Sequence, residues 1–91
     1  MEVTVKLFAG WAAGVPHSTL SVSMAPGATV GDLLQRLAEL DPELCGRLRA
    51  GIADGYVQVL VDGRNVRFLE GDRTLLTEGV TVAFLPPVAG G

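Results

Sequence analysis

A chain of 91 residues, 48% hydrophobic and 19% charged, has room for one compact core and no more. A net charge of −3 and a pI near 4.9 argue against a nucleic-acid-binding face, and no apolar run approaches the ~20 residues needed to span a bilayer. The single Cys45 excludes an internal disulfide, and no basic segment followed by an apolar block opens the chain, so the expectation is a one-domain cytoplasmic protein.

Val3, Val5 and Leu7 alternate with Thr4, Lys6 and Phe8, the period-2 pattern of a strand with one buried face. Gly10 to His17 contain two glycines and a proline and predict a loop or wide hairpin connection. Leu20, Val22 and Met24 alternate with Ser21 and Ser23 as a second strand, antiparallel to the first, before the turn residues Ala25-Pro26-Gly27.

Thr29 is placed to cap a helix, with Asp32 three residues on as in a capping box. Val30, Leu33, Leu34, Leu37 and Leu40 then form one apolar stripe that suits packing on a sheet. Asp41-Pro42 ends this helix and opens another, whose apolar face is Leu44, Leu48 and Ile52, with Gly51 to Gly55 as a loop.

Val57, Val59 and Val61 predict a third strand, and Asp62-Gly63 a tight turn into a short strand near Val66 to Phe68. Turns at Gly71-Asp72 and Glu78-Gly79 lead to a last strand with Val80, Val82 and Phe84 facing inward. Helices clustered in mid-chain predict an α+β fold: a mixed sheet of four to five strands with one main helix on one face. The first and last strands are expected side by side and parallel in the centre, with the helix in the crossover.

Residues 1–85 form the predicted domain, and 86–91 an extended tail. Pro86 and Pro87 hold the exit of the last strand extended; Val88, Ala89, Gly90 and Gly91 follow with small side chains or none. Six extended residues reach at most ~20 Å, enough to enter a partner's active-site channel. The tail has no catalytic side chain, so its reactive group is the α-carboxylate of Gly91. On the sheet face away from the helix, the alternation places Phe8, Leu60 and Leu85 among Thr4, Lys6, Gln58, Thr81 and Ala83, a candidate docking patch beside the tail.

The segments "VKLFA", "TVGDLLQRL", "VLVDG" and "GVTVAFLPPVAGG" resemble the MoaD/ThiS family of ubiquitin-like β-grasp sulfur carriers over nearly the whole chain. The terminal motif is most similar to the small subunit of molybdopterin synthase, and "DGRNVRFLEGDRTLL" resembles CysO-type carriers that supply sulfur for cysteine synthesis. The resemblance implies that an E1-like, ATP-using enzyme adenylates Gly91 and that a sulfur donor converts the acyl-adenylate to a thiocarboxylate. It also implies that Gly90 is required for passage through a narrow channel and that Phe8 and Leu85 dock on the acceptor, with Ala83 between them. That acceptor would be a molybdopterin synthase large subunit or a PLP-dependent sulfhydrylase. No bound cofactor, metal, nucleic-acid or membrane partner is expected, ATP being used by the activating enzyme, and the chain is not expected to be an enzyme by itself.

Other residues carry weaker signals. Cys45 beside Leu44 reads as a buried, inert thiol. His17 lacks partners at metal-ligand spacing, and Trp11 suits either closure of the first loop or a partner site. Arg64, Arg67 and Arg73 fit a basic edge that meets an acidic partner or a solvated surface equally well, Arg67 being the one placed with the partner-binding set. Three functions remain open: sulfur carriage for molybdopterin synthesis, sulfur carriage for another pathway (cysteine, thiamin, tRNA or a metabolite), and protein modification through an isopeptide bond at Gly91.

Overall fold

The computed structural model describes residues 1–12 and 15–85, the side chains of residues 8–18 excepted. Strands β1 (Glu2–Ala12) and β2 (Val15–Ser23) are followed by helices α1 (Val30–Leu40) and α2 (Pro42–Ala53). Strands β3 (Gln58–Val61), β4 (Arg64–Asn65) and β5 (Thr81–Leu85) complete a sheet ordered β2-β1-β5-β3-β4. β1 and β5 pair in parallel, Val5 opposite Val82 and Leu7 opposite Phe84, while β3 runs antiparallel to β5. This is the expected mixed β-grasp sheet, with its first and last strands central.

Alternation drives the packing. Val3, Val5, Val82 and Phe84 are fully buried on one side of the sheet, against Val30, Leu33, Leu34 and Leu37 of α1. The start of α1 is fixed by a reciprocal cap: Asp32 N–H donates to Thr29 Oγ1 (3.2 Å), and Thr29 N–H donates to Asp32 Oδ2 (2.9 Å). α2 closes the core with Leu48 and Cys45, whose thiol donates to the Leu34 carbonyl at 3.1 Å. The cysteine is therefore a buried packing residue, as its neighbours in sequence suggest.

Four sequence expectations are corrected. The first hairpin does not give way to a loop at Gly10: the ladder carries on to an Ala12–Val15 pair, through a register irregularity after the Phe8–His17 pair. An irregularity of this kind lets pairing continue across residues that break side-chain alternation. Val66–Phe68 is a 3-10 helix and not a strand, because Asn65 Oδ1 accepts from Arg67 N–H at 3.0 Å and turns the chain. The supposed Gly51–Gly55 loop is helical as far as Ala53. Leu20 and Leu40, assigned to core faces, are 38% and 57% exposed, both lining an open groove with Leu37 and Leu44.

Gly51 shows why α2 ends where it does. Its carbonyl accepts from Tyr56 and Val57 N–H at 2.7 and 2.9 Å, folding the chain back on the helix. A Cβ built there would overlap Val57 Cγ2, and Val57 is buried and β-branched, with little freedom to rotate away. Gly51→Ala is therefore expected to lose about 1–3 kcal/mol by chemical denaturation, despite the better helix propensity of alanine. An increase in stability would contradict this packing.

At the sheet's other end, Ser21 and Ser23 each donate a 2.5 Å hydrogen bond to the Glu2 carboxylate. These bonds, Ser21 first and then Ser23, hold the Glu2 carboxyl below its ordinary 4.5 against a smaller opposing effect of desolvation. A lowered folded pKa means that the contribution is present above 4.5 and is lost as pH falls through the folded value. Glu2→Gln is expected to flatten the acid limb of a stability–pH profile, leaving the shape above pH 6 unchanged; an identical acid limb would contradict the assignment.

Candidate functional site

The face of the sheet opposite the helices is built by the residues between the buried ones. Along β5, Thr81, Ala83 and Leu85 alternate with buried Val82 and Phe84 and are each half-buried. The register carries them across the sheet: Lys6 lies opposite Ala83, Ala83 opposite Leu60, and Leu85 opposite Gln58. Leu60, Ala83 and Leu85 thus share one face around the central parallel pair, with exposed Lys6 at its margin. The Leu7–Phe84 pair brings the backbones of Phe8 and Leu85 to the next position along β1 and β5. The side chains of Phe8, Trp11 and His17, and the tail residues Pro86, Pro87, Val88, Ala89, Gly90 and Gly91, lie outside the described part of the structure.

This geometry sets the point of departure of the tail. Leu85 ends the strand between β1 and β3, so the chain beyond it leaves from the middle of the sheet, next to the half-buried apolar face. The strand is anchored on both sides. Thr4 N–H donates to Val80 O at 2.9 Å, and Asp62 and Thr81 exchange two bonds: Thr81 N–H to Asp62 Oδ1 at 3.0 Å and Asp62 N–H to Thr81 O at 2.8 Å. These bonds and the strand pairing fix Leu85 relative to Leu60 and Ala83.

Arg67 is not part of that face. It sits in the 3-10 helix after the edge strand β4, its guanidinium 5.6 Å from the centroid of the Phe68 ring. The sequence reading also missed three exposed apolar side chains nearby: Phe68 (80% exposed), Leu69 and Leu75. Leu75 stands exposed between Thr74 and Leu76, which are both buried, and no periodicity in the sequence marks that difference. Among the described residues no group of three or more His, Cys, Asp or Glu could hold a metal ion, and no helix is long and apolar enough to cross a membrane.

Comparison with known proteins adds independent information. Residues 5–91 match the ThiS family. The chain is 39% identical over 95 residues to small archaeal modifier protein 3 of Haloferax volcanii, with 100% of each chain covered. The crystal structure of SAMP1 from Haloferax volcanii superposes with a TM-score of 0.74 at 32% identity, again covering 100% of both chains. A chain from the Amycolatopsis orientalis BexX/CysO complex gives a TM-score of 0.56 at 26% identity, covering 96% of this chain and 99% of its own.

Proposed function

Because the chain belongs to the ThiS family of ubiquitin-like carriers and modifiers, we propose that its working group is the carboxylate of Gly91, activated by a separate E1-like adenylating enzyme. One observation carries this reading: the family match runs through the Gly90-Gly91 pair, beyond a strand that leaves the centre of the sheet beside Leu60, Ala83 and Leu85. A Gly91 carboxylate oxygen attacks the α-phosphorus of ATP and displaces pyrophosphate. Hydrosulfide then attacks the acyl carbon and displaces AMP, and the thioacid formed loses its proton to leave a thiocarboxylate. The carrier supplies no acid or base to these steps. It supplies reach, a backbone without side chains at its end, and a docking face.

Sulfur delivery to molybdopterin synthesis, with this chain as the small synthase subunit, is the acceptor assignment supported by the Pro-Pro-Val-Ala-Gly-Gly terminus. Delivery to a cysteine-forming PLP enzyme uses the same thiocarboxylate, and the resemblance of "DGRNVRFLEGDRTLL" to CysO-type carriers supports it. A second reading is favoured by the relative named as a modifier, matched over its full length: a lysine amine attacks the same acyl-adenylate, or a thioester made from it, and an isopeptide bond forms. Both readings share the adenylation step.

ATP–pyrophosphate exchange by the host's E1-like enzyme is expected to depend on this protein. Exchange that proceeds equally well without it would remove the common premise of both readings.

A further inference from the structure

We infer that the segment from Arg64 to Leu75 forms a second docking surface, for a protein segment that sets carboxylates around an apolar side chain. This goes beyond the proposed function, since it uses neither the tail nor the outer face of the sheet. Six large hydrophobic residues are exposed among those described, and three of them, Phe68 (80%), Leu75 (64%) and Leu69 (38%), fall within eight positions of the chain. They are contiguous in space. One shallow depression is lined by Phe68, Leu69, Glu70, Arg73, Thr74 and Leu75, and another by Arg64, Asn65, Phe68 and Leu69.

Their exposure is imposed by the backbone. Leu75 stands between buried Thr74 and Leu76, and that strip is tied to the start of α1: Val30 N–H donates to Thr74 O at 3.0 Å and Leu76 N–H to Ala28 O at 2.9 Å. Phe68 projects from a 3-10 turn capped by Asn65 and closed by Leu69 N–H on Val66 O at 2.9 Å. With the backbone beneath these side chains already fixed, little backbone freedom is lost on binding, which favours contact with a partner.

Charge specifies the partner. Arg64, Arg67 and Arg73 surround the apolar centre, against Glu70 and Asp72 in the same stretch, in a chain whose net charge is −3. Among the described residues the ion pairs are Arg36–Glu39 and Arg47–Glu43, so none of the three arginines is engaged in one. Glu70 lines the same depression as Arg73, and Asp72 lies with Arg67 and Asp54 at a depression under the end of α2, so arginines outnumber carboxylates around the apolar side chains by three to two. Arginines beside an exposed aromatic ring are a combination enriched at the energetic centres of protein interfaces. An acidic–apolar protein segment is complementary to both parts of this surface; a nucleic acid would use the arginines and leave Leu69 and Leu75 in water.

The test is an amide chemical-shift titration of the full-length protein with a synthetic peptide in which glutamates flank a central Leu-Phe pair. Saturable shifts confined to residues 64–75 are expected, unchanged when Gly91 is deleted. Arg67→Glu combined with Arg73→Glu, and separately Phe68→Ser, should each weaken binding by about tenfold with no change in melting temperature. A peptide with lysines in place of the glutamates should not bind. Absence of saturable shifts at 64–75 overturns the inference. So does equal binding by the lysine peptide, or displacement of the acidic peptide by a single-stranded oligonucleotide of comparable affinity.

Discussion

Deletion of Gly91 is expected to abolish activation and sulfur transfer while leaving thermal unfolding unchanged. The chemistry needs a carboxylate at the far end of a thin extended segment, and shortening the tail withdraws that group from the partner's catalytic atoms by up to ~3.5 Å. Misplacement of about 1 Å can already cost on the order of 100-fold in rate. Gly90→Trp tests the same requirement differently: the carboxylate stays, but a bulky side chain meets the channel wall and narrows the accessible backbone conformations. The side chains that seat β5, Val82 and Phe84, both precede the tail and are fully buried. Neither variant touches them, so a melting transition lost on Gly91 deletion would assign the tail a structural role.

The second large effect separates two adjacent residues. Phe84 is fully buried in the core, whereas Leu85 is half-buried on the opposite face. Phe84→Ala is expected to cost about 3–5 kcal/mol, a large part of the ~5–15 kcal/mol typical of a domain, and to appear as a sharply lower denaturation midpoint. Leu85→Asp is expected to change unfolding stability by no more than about 1 kcal/mol and to weaken binding to the sulfur-accepting partner enzyme by roughly tenfold or more, measured by calorimetry. Because a strand's side chains alternate between faces, the opposite pattern would mean that the docking face and the core face have been exchanged.

The parts of the fold legible in the sequence are those where one periodicity governs burial. Val3, Val5 and Leu7, then Val80, Val82 and Phe84, alternate because each lies on a sheet with one packed face, and all six are buried. Val30, Leu33, Leu34 and Leu37 repeat at helical spacing for the corresponding reason. Leu40 keeps the spacing but ends α1, where nothing covers it fully, so the pattern overstates its burial.

Elsewhere local hydrogen bonds outweigh side-chain pattern. Val66-Arg67-Phe68 has the composition of a strand, yet one Asx-type bond from Asn65 redirects it into a turn and leaves Phe68 in solvent. No periodicity reports such an event. The pairing of Ala12 with Val15 was hidden for a related reason: a backbone ladder can survive a register shift that leaves no trace in the side-chain alternation.

The candidate site was legible to a comparable degree. Leu60, Ala83 and Leu85 follow from strand phase alone and come together on one face. Arg67 does not join them, because the turn that exposes Phe68 also carries Arg67 beyond the sheet's edge.

The most direct measurement is the intact mass of this protein after incubation with host extract, ATP and a sulfide source. The expected product has one oxygen of the Gly91 carboxylate replaced by sulfur, and it is absent from the Gly91-deleted protein. An unchanged mass, with no conjugate of higher mass formed through Gly91 either, would contradict the assignment of Gly91 as the reacting group.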